Sequence, residues 1–121
     1  MKKGIDIQER LIKFAVRIIK ISEKLPNTRA GKHISGQLLR SGTSPAPNHA
    51  EARGAESSND FIHKLKIAVK ELNETEVWLK IIIEADMLDI SSVANSLDEC
   101  QQLGRILAAS IRTARSKTRN S

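Results

Sequence analysis

The sequence predicts an all-α fold, an antiparallel up-down-up-down four-helix bundle, and three observations carry that prediction. Apolar residues recur at spacings of three and four along most of the 121-residue chain. With two Phe, one Trp and no Tyr, the core must be built from Leu, Ile, Val and Ala, which suits helix packing better than a β-sandwich. Turn-forming residues interrupt the periodicity at Pro26–Thr28, at Ser57–Asp60 and at Asp86–Ser92, leaving four periodic segments in a chain of single-domain length.

The first helix is expected over about residues 5–25. Ile7, Leu11, Phe14, Ile18, Ile21 and Leu25 form a heptad seam, and Ala15, Val16 and Ile19 widen it, which implies contact with more than one neighbouring helix. Pro26 pushes the preceding residue out of the α region and stops the helix. Along the same helix Arg10, Lys13, Arg17, Lys20 and Lys24 recur at spacings of three and four, a line of cations on one face.

The second helix is expected over about residues 28–54, with Thr28 as N-cap and Ile34, Leu38 and Leu39 on its apolar side. Pro45 and Pro47 each remove an amide donor and crowd the preceding turn, so a kink or a break is expected around Ser44 to Asn48. Arg40, Ser44, Asn48 and Glu51 read as a structural network that satisfies the backbone groups the prolines release, with Arg40 paired to Glu51 across the bend.

The third helix, about residues 58–87, opens on Ser57 as cap with Asp60 in the first turn. Its seam is Ile62, Leu65, Val69, Leu72, Leu79 and Ile83; Trp78 lies beside the seam and reads as cover for the bundle side or for an inter-subunit surface rather than as a base-stacking platform. The fourth helix is expected over about residues 92–115, capped by Ser91 or Ser92, with Val93, Leu97, Cys100, Leu107 and Ile111 in its seam. Cys100 on that stripe reads as a small buried hydrophobe. Residues 116–121 are expected to fray into a basic tail, with Arg112, Arg115, Lys117 and Arg119 grouped at this end.

The net charge of +6 is segregated. Residues 1–50 hold ten Lys/Arg against three Asp/Glu, residues 51–99 five against eleven, and residues 100–121 five against none. Such segregation suits either neutralisation between neighbouring helices or a basic face for a polyanion.

Catalysis finds no support. His33, His49 and His63 lack ligand-like spacing, there is no CxxC or HExxH, and no glycine loop follows a strand. His49 and Glu51 have the spacing of one fragment of a zinc deaminase signature, without the paired cysteines that complete it. The chain therefore reads as a non-enzyme without metal or cofactor. Its first residues are too charged for a signal peptide or a membrane span, which fits a cytoplasmic protein.

Gln37-Leu38-Leu39-Arg40 followed by Ser44, Asn48, Ala50 and Glu51, then Asp60-Phe61 and Glu71-Leu72-Asn73-Glu74-Thr75, resembles a known family. These residues and the four helix lengths are similar to the four-helix-bundle proteins encoded in intervening sequences of bacterial 23S ribosomal RNA genes. Pro45, His49 and Ala52 depart from that family's isoleucine, isoleucine and glycine. The resemblance implies an up-down-up-down bundle and a homopentamer. The chain also resembles the accessory proteins of diversity-generating retroelements, similar basic bundles thought to bind nucleic acid.

Two roles are thus expected to compete. One is sequence-tolerant binding of RNA or DNA by Arg10, Lys13, Arg17, Lys20 and Lys24 together with Arg112, Arg115, Lys117 and Arg119. The other is a protein-interaction scaffold, in which Glu71, Glu74 and Glu84 of the acidic third helix neutralise the basic line across a contact with the next subunit.

Overall fold

The computed structural model describes residues 3–120, with side chains placed for 7–119, and the regular structure of the described residues is entirely helical. The elements are α1 (Lys3–Lys24), α2 (Arg29–Thr43), α3 (Pro45–Arg53), α4 (Ser58–Glu84) and α5 (Ile90–Asn120). α2 and α3 are two halves of the predicted second helix. α1 packs against α2, α3 and α5, and α4 packs against the same three, whereas α1 and α4 do not approach one another. The two therefore lie on a diagonal of a four-membered bundle.

The predicted seam of α1 enters the core from Leu11 onward, with Ile7 partly buried at its edge. Leu11, Phe14, Ile18, Ile21 and Leu25 are all buried, and they meet Leu38, Leu65, Leu72, Leu79, Ile82, Leu103 and Leu107 from the other helices. Val16 and Ile19 do not widen that seam. They are exposed, because the α1 backbone turns them away from both helical neighbours.

The second helix bends at Ser44 and does not break. Ser44 keeps helical dihedrals (φ −77°, ψ −36°), and the Asn48 amide bonds its carbonyl at 3.2 Å as in an uninterrupted helix. Pro45 and Pro47 supply no N–H to the preceding turn, which removes two rungs of the ladder and opens the axis there. The Asn48 side chain stitches the bend, donating to the Ser44 carbonyl and to Ser44 Oγ, both at 3.0 Å.

Thr28 caps α2 by accepting from the Gly31 amide at 3.0 Å, and Ser57 caps α4 by accepting from Asp60 at 3.1 Å. α4 ends at Glu84, three residues before the expected end. Asp86 there adopts a left-handed conformation (φ 54°), the Met87 amide reaches back to the Ile82 carbonyl (3.0 Å) and the Asp86 amide to Ile83 (3.1 Å). That pair of bonds is a Schellman motif, with aspartate where glycine is usual.

α5 starts at Ile90, so Ser91 and Ser92 lie inside its first turn and do not cap it. At its other end the helix continues to Asn120, beyond the expected fraying point near residue 115. Ala114, Arg115, Lys117 and Arg119 are good helix formers, and cations in a last turn favour the negative helix end. Ser121 lies outside the described residues.

Candidate nucleic-acid interface

Among the described residues, Arg10 is the one member of the predicted line that an acid neutralises. Its guanidinium donates to both oxygens of Glu99 on α5, at 2.9 and 2.7 Å, and to Gln102 at 3.2 Å. The Glu99 bond raises the Arg10 pKa above the ordinary arginine value. Lys13, Arg17, Lys20 and Lys24 are exposed, and no carboxylate among the described residues lies within ion-pairing distance of them. Since they share a face with Arg10, they follow the edge of α1 that adjoins α5.

The basic end of α5 is a separate region. Antiparallel packing at Arg10–Glu99 directs Lys24 toward the start of α5, while Arg112, Arg115, Lys117 and Arg119 lie in the opposite direction along the bundle. Arg115 and Arg119 lie beside Asn59 and Ile62 of α4, and Lys117 occupies another face with Ser110 and Thr113. The cations are thus divided between the edge of α1 beside α5 and the far end of α5, where Arg115 and Arg119 lie beside α4, rather than gathered in one patch.

The motif around the bend divides into three. Ser44 and Asn48 bond one another as described. Arg40 does not pair with Glu51. It bonds Glu71 at 3.0 Å and also Glu74, both on α4, while Glu51 pairs with Lys64 at 2.8 Å. The reason is the helical continuity at Ser44, which holds residues 40 and 51 about 16 Å apart along the axis, beyond side-chain reach.

Arg40 is half exposed, so its two ion pairs contribute on the order of 1 kcal/mol at most. The same cluster holds Trp78, whose Nε1 donates to Glu74 at 3.0 Å and whose ring meets His33 edge-on with centroids 6.1 Å apart. Trp78 covers the α2–α4 side of the bundle, as its position beside the seam suggests.

Two features differ from their reading in the sequence, where His49 had only the spacing of a zinc deaminase fragment and Val16 and Ile19 were placed in the widened seam. His49 is buried on α3 with Nδ1 2.5 Å from Gln8 Oε1 of α1, and Gln8 Nε2 donates to the Ala46 carbonyl at 3.2 Å. Burial, reinforced by Arg53, lowers the His49 pKa below the ordinary histidine value. The second is an outward apolar stripe of Ile12, Val16 and Ile19, 39–49% exposed. Its 4, 3 spacing was the available signal, since it repeats on the side of α1 opposite the buried seam.

Among the described residues no cluster of three or more His, Cys, Asp or Glu could hold a metal, and no helix is long and apolar enough to cross a membrane.

Residues 3–109 match the family described as 23S rRNA-intervening sequence protein. The fold is similar to the crystal structure of a protein of unknown function from the S23 ribosomal protein family of Bacteroides thetaiotaomicron. The two are 36% identical with a TM-score of 0.81, over 87% of this chain and 97% of that one. No curated protein matches the sequence.

Proposed function

The chain belongs to the 23S rRNA-intervening sequence protein family, and we propose that it is a non-enzymatic, self-associating protein that binds RNA or DNA in a sequence-tolerant way. The observation that carries this reading is the set Lys13, Arg17, Lys20 and Lys24, four exposed cations along one helix edge without an acidic partner among the described residues. Regularly spaced point charges suit the phosphates of a nucleic-acid backbone and carry no base preference.

The acidic residues expected to neutralise that line are partly engaged elsewhere. Glu71 and Glu74 are held by Arg40 within the same chain. Copies assembled into a ring, the pentamer the resemblance implies, would multiply weak single contacts into useful affinity.

The outward stripe of Ile12, Val16 and Ile19 favours a second reading, a protein-interaction scaffold. The two readings separate in one experiment. Binding to labelled RNA and DNA is titrated from low to physiological salt, with mass measured by light scattering in the same buffers. Nucleic-acid binding requires Lys13→Glu, Arg17→Glu and Lys20→Glu together to weaken affinity and flatten the salt dependence by roughly one per residue. Unchanged binding by this variant would leave the scaffold.

A further inference from the structure

The face of α5 that meets α1 continues well past its contact with Arg10. Arg10 sets the register by bonding Glu99 and Gln102. From Glu99 the same face continues through Ile106, Ser110 and Thr113 to Lys117, about 27 Å of helix. The described part of α1 extends past Arg10 to Lys3, about 10 Å. The positions preceding Ile7 in the heptad seam are Lys3 and Gly4 rather than aliphatic residues.

A groove of about 890 Å3 opens along α5 beyond its contact with Arg10. Half-buried Phe61, Ile106 and Ala114 make its floor, and exposed Ser58, Thr113 and Lys117 make its rim. Among the described residues no acidic side chain lines it. Its volume falls within the roughly 300–1,000 Å3 of small-molecule sites.

We propose that this groove receives a base of single-stranded nucleic acid against Phe61, while the strand's phosphates follow the cations of the α1–α5 seam. The proposal rests on the nucleic-acid reading above and adds a preference for single strands. Phe14 is buried and Trp78 is bound to Glu74 and His33, whereas Phe61 lines an open groove that also carries Lys117. Lys117 stands at the rim, and the line Lys13, Arg17, Lys20 and Lys24 continues the same seam beyond Arg10. An aromatic surface at the end of a cationic track is how single strands are held without sequence readout. A duplex keeps its bases stacked and cannot use the groove.

The test compares Phe61→Leu, which keeps apolar packing but removes the ring, with Ala114→Leu, which fills the floor. Both are checked for wild-type helicity and thermal midpoint. Each is then titrated with a single-stranded oligoribonucleotide, its DNA counterpart and the matching DNA duplex. Both variants are expected to lose about tenfold in affinity for single strands while duplex binding and salt dependence stay unchanged.

Wild-type affinity for single strands in both variants overturns the groove, as does an equal loss for duplex. The charge-reversal variant keeps the two levels distinct. If it alone weakens binding, the groove falls and the nucleic-acid reading stands; if it has no effect either, both fall.

Discussion

Gly42 of α2 lies against Ile18 of α1 so closely that a Cβ at position 42 would stand 2.6 Å from Ile18 Cγ2. Ile18 is fully buried and has no room to withdraw. Beside this contact, Ser35 donates to the Ser22 carbonyl of α1 at 3.1 Å. Glycine at 42 therefore sets how near α2 approaches α1.

Gly42→Ala is expected to destabilise the protein by about 1–3 kcal/mol through overpacking. Gly104→Ala is the control, because a Cβ there meets nothing within 4 Å. That change should stabilise by roughly 0.5–1 kcal/mol by improving helix propensity. Urea denaturation of both variants, with unchanged slopes, gives the two signs.

Asp86→Gly should stabilise by about 0.5–1 kcal/mol. Residue 86 is held at φ 54° in the turn that closes α4, a conformation glycine adopts without steric cost. The change also removes a negative charge from the negative end of a helix. A lower thermal midpoint than wild type would contradict this account of the turn.

His49 should make stability depend on pH between neutral and mildly acid conditions. Its folded pKa lies below the ordinary 6.5, so the unfolded chain takes up the proton first as pH falls. The contribution is fully present above about pH 6.5 and is lost progressively as pH drops toward the folded value. His49→Gln should flatten the change in urea midpoint between pH 7 and pH 5, roughly one pH unit or more above carboxylate titration.

Cys100 should resist thiol reagents in the native protein. It is buried, with Sγ 3.1 Å from the Leu72 carbonyl, and burial pushes its pKa up to about 12. The thiolate that reacts is thus both scarce and covered. Maleimide labelling at pH 8 is expected to wait for unfolding, so its rate should rise with urea; rapid native labelling would contradict the packing of α5 on α4.

Local signals were legible in the sequence. Leu11, Phe14, Ile18 and Ile21 are buried because a 3.6-residue period puts them on one face whatever helix covers it. Thr28 and Ser57 cap because a hydroxyl before a helix reaches its orphan amides without tertiary help. The position of the bend also follows from two prolines within one turn, Pro45 and Pro47.

Partner choice was not legible. Arg10 finds Glu99 across 89 residues of chain, and Arg40 takes Glu71 and Glu74 rather than Glu51. The groove at Phe61 was hidden, because its opening depends on how helices distant in sequence pack together. The sequence by itself determined the helices, most of their buried faces and the cations of α1, while Val16, Ile19 and Leu39, expected on those faces, are exposed. Only the tertiary structure decided which cation an acid neutralises and which apolar surface stays open, because both depend on the register between helices distant in sequence.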